Sequence, residues 1–185
     1  IGLVAASGTG LQAVSSRISR RGGGISQAVG TGGRDLTEHI EAKTTQTALN
    51  MLDDDPETDV IVIISKPPSD AAVEAVSASL EDAKTPVIAH FQGTTKNYDN
   101  VQMTETLADT ADIALEQSGI EPSVTDSRLP DSQLKTAVNS LSAEKRWVRG
   151  LFTGGTLCTE AALTLAESGK QIQSNVGIGE PVSDP

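Results

Sequence analysis

The sequence contains few aromatic residues and one cysteine, and it lacks both a basic segment and a long hydrophobic run. Aromatic side chains make up 2% of the 185 residues, so Val, Ile, Leu and Ala must build the core. Such a core suits parallel strands packed against helices. Cys158 alone excludes a disulfide framework, and no cluster of residues has metal-ligand spacing. We therefore expect a protein without a resident metal.

The absence of long apolar stretches and of excess positive charge restricts the partners. No segment is apolar over the length needed to cross a bilayer, and no secretory leader pattern is present, so we expect a cytoplasmic protein without a membrane partner. Lys and Arg number 14 against 25 acidic residues, which gives a net charge of −11. Because phosphate backbones would be repelled, nucleic acid is not an expected partner.

What the sequence does contain is an alternation of short apolar runs with longer amphipathic ones, which is typical of βαβ units. The runs predict strands at residues 1–5, 25–29, 60–64 and 86–91. The amphipathic segments predict one helix from the turn at residues 7–10 to about residue 20, and further helices over residues 44–53, 70–82 and 102–118. Residues 60–64 are Val-Ile-Val-Ile-Ile, and five consecutive β-branched residues indicate a central strand that is buried on both faces.

The second half of the chain predicts a boundary and a further unit. Residues 118–129 are polar, and residues 133–143 are expected to form a connecting helix. An apolar run at 148–152, the turn Thr153-Gly154-Gly155-Thr156, a helix to about residue 168 and a strand at 172–176 then repeat the pattern of the amino-terminal residues. We expect one α/β domain over residues 1–125, a linker over 126–146, and the truncated start of a second Rossmann-like unit over 147–185. The chain is expected to be the middle of a longer protein.

Ser7-Gly8-Thr9-Gly10 joins the first predicted strand to the first predicted helix. Free N–H groups at a helix start favour an anion, and glycines allow its close approach. The alternative is a tight turn in which Ser7 or Thr9 only caps the helix.

Two further loops carry a cation at the same expected edge of the sheet. Gly30-Thr31-Gly32-Gly33 precedes Arg34, whose planar guanidinium suits a phosphate or carboxylate. Pro67 and Pro68 stiffen the chain behind Lys66. The alternatives are a flexible turn closed by a contact between Arg34 and Asp35, and a proline turn with Lys66 in solvent. The binding hypothesis brings Ser7, Gly8, Thr9, Gly32, Gly33, Arg34 and Lys66 to one pocket, with the strand order of a flavodoxin-like sheet.

Other reactive residue types are interpreted as structural. His90 lies on an apolar strand, where a histidine is more often part of the core than a catalyst, and His39 stands beside Glu38 and Glu41. Cys158 is in the first turn of a predicted helix, where a small buried cysteine is common. The sequence therefore leaves the catalytic residues unknown.

The order of these loops resembles the second domain of the succinyl-CoA synthetase α subunit, within the acyl-CoA synthetase superfamily. The resemblance rests on Ser7-Gly8-Thr9, the glycine loop before Arg34, and Asp55-Pro56-Glu57-Thr58 ahead of an apolar strand. Gly32-Gly33-Arg34-Asp35-Leu36, Ser65-Lys66-Pro67-Pro68 and the segment from Gly150 to Cys158 are similar to the FdrA-like branch. The resemblance implies a flavodoxin-like (Rossmann-type) parallel sheet with helices on both faces. It also implies a preceding CoA-binding domain, CoA, and a nucleotide or acyl phosphate.

Two departures separate the sequence from the synthetases. These enzymes carry a phosphorylated histidine after the fourth strand, and the corresponding residues 94–101 contain no histidine. They also place a glutamate after the third strand, where this chain has Ser65 and Lys66. The resemblance thus implies anion binding by the Ser7-Gly8-Thr9 turn without a histidine relay.

We therefore expect an acyl-CoA synthetase-like protein that binds a small molecule carrying a phosphate or carboxylate, with acyl or carbamoyl transfer through an acyl phosphate as its reaction. The Thr153-Gly154-Gly155 turn is the matching element of the second unit. The alternative is a non-catalytic binding or assembly subunit of a larger complex. Expected partners are the small anion, the CoA-binding domain, and a partner subunit or a second copy of the chain.

Overall fold

The protein forms a five-stranded parallel sheet covered by helices on both faces. The structure is a computed structural model that describes residues 1–94, 97–121, 129–142, 144 and 147–181, apart from the side chain of residue 78. The strands occur in the order β2-β1-β3-β4-β5 and every pairing is parallel. They are β1 (Gly2–Ala5), β2 (Ala28–Gly30), β3 (Ile61–Ser65), β4 (Val87–Phe91) and β5 (Val101–Met103). The predicted flavodoxin-like α/β fold is thereby confirmed.

In the described part of the chain, six helices accompany the sheet: α1 (Gly8–Arg20), α2 (Lys43–Asp53), α3 (Asp70–Glu81), α4 (Leu107–Gln117), α5 (Asp131–Asn139) and α6 (Gly155–Glu167). Successive side chains of a strand point to opposite faces of the sheet. Leu3 and Val62 accordingly pack with α1 and α4, whereas Val4 and Ile63 pack with α2 and α3. Aliphatic side chains thus fill both layers, as the shortage of aromatic residues required.

The central position of β3 confirms the prediction made from its β-branched run. All five of its residues are buried, and it pairs with β1 on one side and β4 on the other. A strand that is covered above and below exposes no face to water, so each position favours an apolar residue.

The segment after β4 differs from the prediction. A continuous helix was expected over residues 102–118, but residues 101–103 form the edge strand β5, and α4 begins only at Leu107. Thr106 ends the intervening turn, since its side chain accepts a hydrogen bond from the Asp109 N–H over 3.0 Å. Pairing with β4 determines the conformation of residues 101–103, and a run of three residues is too short to show strand periodicity.

The carboxyl-terminal part also departs from the predicted second unit. Residues 148–152 form no strand, and Leu151 is fully exposed. Of the predicted strand 172–176 only β6 (Gln173–Ser174) forms, paired with β7 (Glu180–Pro181). A strand needs a paired neighbour, and the described residues offer none to 148–152. The predicted boundary at 118–129 falls largely outside the described residues, and the division into two units stays a prediction.

A charged contact holds α1 against α4. Arg17 donates two hydrogen bonds to the Asp112 carboxylate, each over 2.8 Å. Two parallel bonds of this kind fix the relative orientation of the helices. None of the helices within the described ranges combines the length and the apolar character that a membrane span requires.

Candidate functional site

The loops that follow the strands meet along one edge of the sheet, because all five strands run in the same direction. The Ala6 N–H donates to the Ile64 carbonyl over 3.0 Å, and the Thr31 N–H donates to the Ala5 carbonyl over 2.9 Å. These bonds place the loops after β2 and β3 on either side of the turn after β1. The strand order reverses at this point, where open parallel sheets usually bind their ligands.

Ser7 starts α1 at this edge. Its extended backbone leads out of β1, and its hydroxyl accepts a hydrogen bond from the Gly10 N–H over 3.0 Å. A Cβ atom at Gly10 would stand only 2.7 Å from a methyl group of Ile64. The absence of a side chain at Gly10 therefore lets the first turn of α1 lie directly against β3. Ser7 caps α1, as the second interpretation of the Ser7-Gly8-Thr9-Gly10 turn predicted.

The start of α6 lies against the start of α1. The Thr156 hydroxyl is 2.6 Å from the Ser7 hydroxyl, and both residues are 5% exposed. At Gly154, the residue before α6, an added Cβ atom would overlap the side chain of Thr9. The two turns that the sequence singled out, Ser7-Gly8-Thr9 and Thr153-Gly154-Gly155, are therefore neighbours, and the missing side chain of Gly154 permits their contact.

These two helix starts differ electrostatically from the others. The positive N-terminal end of a helix is stabilised by a nearby carboxylate. Each of the other four described helices has one at its start: Asp35 for α2, Asp70 for α3, Glu160 and Asp109 for α4, and Asp131 for α5. Neither α1 nor α6 has an acidic residue in its first turn. Two positive helix ends thus lie side by side, and neither has a carboxylate in its own first turn.

Both helix starts also present N–H groups that make no hydrogen bond within the described structure. In α1 these are Gly8 and Thr9, and in α6 they are Gly155 and Thr156. The first N–H groups of a helix have no acceptor inside the helix, so they need a solvent molecule or a ligand. Gly8 and Gly155 are exposed and have no atom within 4 Å of their Cβ positions, which leaves room for a small anion.

The predicted cationic loops reach the same edge, but their side chains stay in solvent. The Cβ position of Gly33 is 3.8 Å from the Ala6 carbonyl, and Gly32 adopts a φ of +87°, a conformation that favours glycine. Arg34 and Lys66 are both exposed, and neither side chain makes a hydrogen bond or ion pair with any described residue. The structure thus places both loops beside Ser7 without bringing either cation into contact with it.

Asp35 has a structural role that the sequence analysis missed. The contact between Arg34 and Asp35, which was the alternative interpretation of this loop, does not form. The Asp35 carboxylate is 3% exposed and accepts hydrogen bonds from Thr44 and Thr45 at the start of α2, over distances of 2.7 to 3.0 Å. Burial raises the pKa of Asp35, but the hydrogen bonds from Thr45 and Thr44 outweigh it and hold the pKa below its usual value.

Three residues whose roles were not predicted connect α6 to α1, to the end of β4 and to α4. Thr156 meets Ser7, Gln92 donates from Nε2 to the Thr156 carbonyl over 2.7 Å, and Glu160 accepts from the Leu107 N–H over 2.8 Å. Thr156 is the last residue of the predicted Thr153-Gly154-Gly155-Thr156 turn, so its place in the sequence was a usable signal for its role. Gln92 and Glu160 carried no such signal, because only the docking of α6 brings them to this edge.

The two histidines lie in different environments. His39 is exposed on the loop before α2, whereas His90 on β4 is 2% exposed. Neither belongs to the paired helix starts.

Comparisons with known proteins give a relative but no family. No family model matches the chain. The chain is 37% identical over 180 residues to the uncharacterized protein YahF of Escherichia coli (strain K12). The matched region is 95% of this chain and 35% of that protein, so the chain spans about a third of the length of this relative.

Proposed function

We propose that the paired starts of α1 and α6 bind the phosphate or carboxylate group of a small molecule. The observation that carries this proposal is the contact between two helix starts that lack a carboxylate, with free N–H groups on both. An anion there would accept hydrogen bonds from both helices and reduce the repulsion between their positive ends. Arg34 and Lys66 add charge from the neighbouring loops, since both side chains are free to turn toward the edge.

The reaction that we propose is acyl or carbamoyl transfer from an acyl phosphate in a cytoplasmic protein. The nucleophile, a thiol or an amine, would attack the carbonyl carbon and lose a proton. The bond from that carbon to the phosphate oxygen would break, and phosphate would leave with the electron pair. N–H donors at the helix starts would stabilise the charge that develops on the phosphate. CoA and a nucleotide enter the proposal through the resemblance to acyl-CoA synthetases alone.

A route without phosphohistidine is supported by the position of the histidines. Residues 94–101 contain none, and His90 is buried in β4 among acceptor groups rather than at the start of α1 or α6. Transfer directly from a bound acyl phosphate needs no such relay.

Calorimetric titration tests the binding step, with inorganic phosphate, acetyl phosphate and carbamoyl phosphate as ligands. All three should bind, and Ser7→Ala should weaken each, because Ser7 organises the start of α1. Ser69→Ala provides the matched control, since the Ser69 hydroxyl caps α3 through the Ala72 N–H over 3.2 Å. Equal weakening by both substitutions would show a general loss of helix capping and would contradict the proposal.

A non-catalytic assembly subunit is the second candidate, and one observation favours it. The segment from Trp147 to Phe152 exposes apolar side chains, with Trp147 at 76% and Val148 at 82% exposure. Contiguous exposed apolar surface often marks a protein contact. Release of phosphate from carbamoyl or acetyl phosphate in the presence of a thiol or amine separates the candidates, because a subunit of this kind would bind the anion without consuming it.

A further inference from the structure

A second cleft opens beside the paired helix starts, between β4, β5, α4 and α6. Its volume is about 560 Å³, and its wall includes His90, Gln92, Glu105, Glu160 and Glu167. No lysine or arginine lines it within the described residues. The wall formed by the described residues is therefore acidic, in contrast to the positive helix ends next to it.

His90 presents an unused hydrogen-bond acceptor to this cleft. Its Nδ1 lies 3.2 Å from the Thr104 carbonyl, which can only accept, so Nδ1 carries a proton. Burial lowers the pKa of His90, and the opposing effects of the Thr104 carbonyl and of the Glu160 and Asp109 carboxylates are smaller. The ring is thus neutral near pH 7, and Nε2 holds a lone pair. Nε2 is buried and has no hydrogen-bond partner in the described structure.

Gln92 supplies a second unused acceptor to the same cleft. Its Nε2 donates to the Thr156 carbonyl over 2.7 Å, and this bond fixes which amide atom points into the cleft. Its Oε1 is buried and has no hydrogen-bond partner among the described residues. Gln92 stands directly after the end of β4, two positions beyond His90, and both residues line the cleft.

Glu160 adds negative charge to these acceptors. Its Oε2 lies 3.8 Å from His90 Nε2 and accepts from the Leu107 N–H, and its side chain is 24% exposed. Acceptors of β4, of the residue after it and of α6 thus line one cleft, and buried acceptors without partners are rare in folded proteins. A ligand that donates hydrogen bonds would satisfy them, and the charge of Glu160 favours a cation.

We propose that this cleft binds the ammonium or guanidinium group of a small molecule through His90 Nε2, Gln92 Oε1 and Glu160. A cation with N–H donors satisfies both orphan acceptors and pairs with the carboxylate. A phosphate would meet the like charge of the three glutamates there. The proposal is independent of the anion site, because it requires no contact with the free N–H groups of α1 or α6.

Nitrogen NMR of the two imidazoles tests the cleft directly. The chain has two histidines, so the exposed His39 is an internal control for His90. Methylammonium and methylguanidinium chloride should shift the Nε2 resonance of His90 and leave that of His39 unchanged. Tetramethylammonium carries the charge without N–H donors and should produce no shift at His90. An equal response to tetramethylammonium, or no response to any cation, would overturn the proposal.

Two substitutions identify the acceptors. Glu160→Gln keeps an acceptor for the Leu107 N–H but removes the charge, and it should weaken methylguanidinium binding about tenfold or more. Glu116→Gln on the exposed face of α4 is the matched control and should bind as the unsubstituted protein does. Gln92→Met, which removes the Oε1 acceptor, should also weaken binding. Unchanged affinity in either cleft variant would contradict the assignment.

Thermal unfolding of each variant distinguishes loss of the site from loss of the fold. The probes carry no anionic group, so their failure to bind would leave the proposed anion site untouched. Retained phosphate binding in Glu160→Gln would show in turn that the two sites are separate.

Discussion

Ser7 Oγ lies 2.6 Å from Thr156 Oγ1, although 149 positions separate the two residues in the chain. Each residue belongs to the first turn of a helix or caps it, so their contact sets two positive helix ends side by side. Arrangements of this kind are stabilised by an anion.

Gly154→Ala should separate the helix starts. The added methyl group would overlap Thr9, including its Cβ atom, so rotation of the side chain alone cannot relieve the contact. We expect phosphate affinity to fall by roughly tenfold, about 1.4 kcal/mol, because one helix would withdraw its donors. Calorimetry measures the change. Gly24→Ala is the control, since a Cβ atom at Gly24 would have no atom within 4 Å. If Gly154→Ala bound phosphate as tightly as the wild type, that result would contradict a site shared by the two helices.

Lys66→Ala should weaken phosphate binding by roughly 10- to 100-fold, because loss of a charge-assisted hydrogen bond costs about 1.5–3 kcal/mol. Arg34→Lys should also weaken it if the guanidinium binds through two nitrogens. Affinity should fall as salt concentration rises. Lys84→Ala, at the opposite edge of the sheet and 3.8 Å from Asp54, is the control. If Lys84→Ala weakened phosphate binding and Lys66→Ala did not, Lys66 would not be the cation that binds the phosphate.

Asp35→Asn should destabilise the fold by about 1–3 kcal/mol, because an amide nitrogen would face N–H donors of α2. The folded-state pKa of Asp35 is lowered, so its carboxylate contributes stability above pH 3.8 that is lost as pH falls through the folded-state pKa. The difference between variant and wild type should therefore shrink in acid. Urea unfolding from pH 7 down to pH 3 measures it. Asp131→Asn on the exposed helix α5 is the control and should change the free energy of unfolding by less than about 0.5 kcal/mol. If it lowered that free energy as much as Asp35→Asn does, the stabilising role of Asp35 would be contradicted.

Incubation with ³²P-labelled nucleotide or acyl phosphate should leave no acid-labile phosphate on either histidine. His39 is exposed but stands apart from the paired helix starts, and His90 faces carboxylates that would repel a phosphoryl group. Peptide mapping after alkaline quenching, which preserves phosphohistidine, is the measurement. A stoichiometric label on His90 would restore a histidine relay.

The sequence predicted β1, β3 and β4 and part of β2, which begins at Ala28 rather than at residue 25, because β-branched runs and glycine turns are local signals. The β3 run was recognised as a central buried strand, and Ser7 was placed at a helix start. Residues 101–103 were assigned to a helix, since a three-residue edge strand is determined by its pairing with β4 rather than by its own pattern.

The candidate site was predictable only in part, because it depends on contacts between residues that are far apart in the sequence. Each glycine turn was visible, but their contact depends on α6 lying against α1, which no local pattern encodes. The acceptors of His90 and Gln92 became apparent only when hydrogen bonds could be assigned atom by atom. Arg34 and Lys66 reach the expected edge, yet their long exposed side chains are not fixed there by any described contact.

An amide ¹H–¹⁵N titration with inorganic phosphate tests the central claim most directly. The account predicts that the resonances of Gly8 and Thr9 on α1, and of Gly155 and Thr156 on α6, shift together and saturate with one dissociation constant. Shifts confined to one helix, or to the exposed loops of Arg34 and Lys66, would contradict a single anion site between the two helix starts.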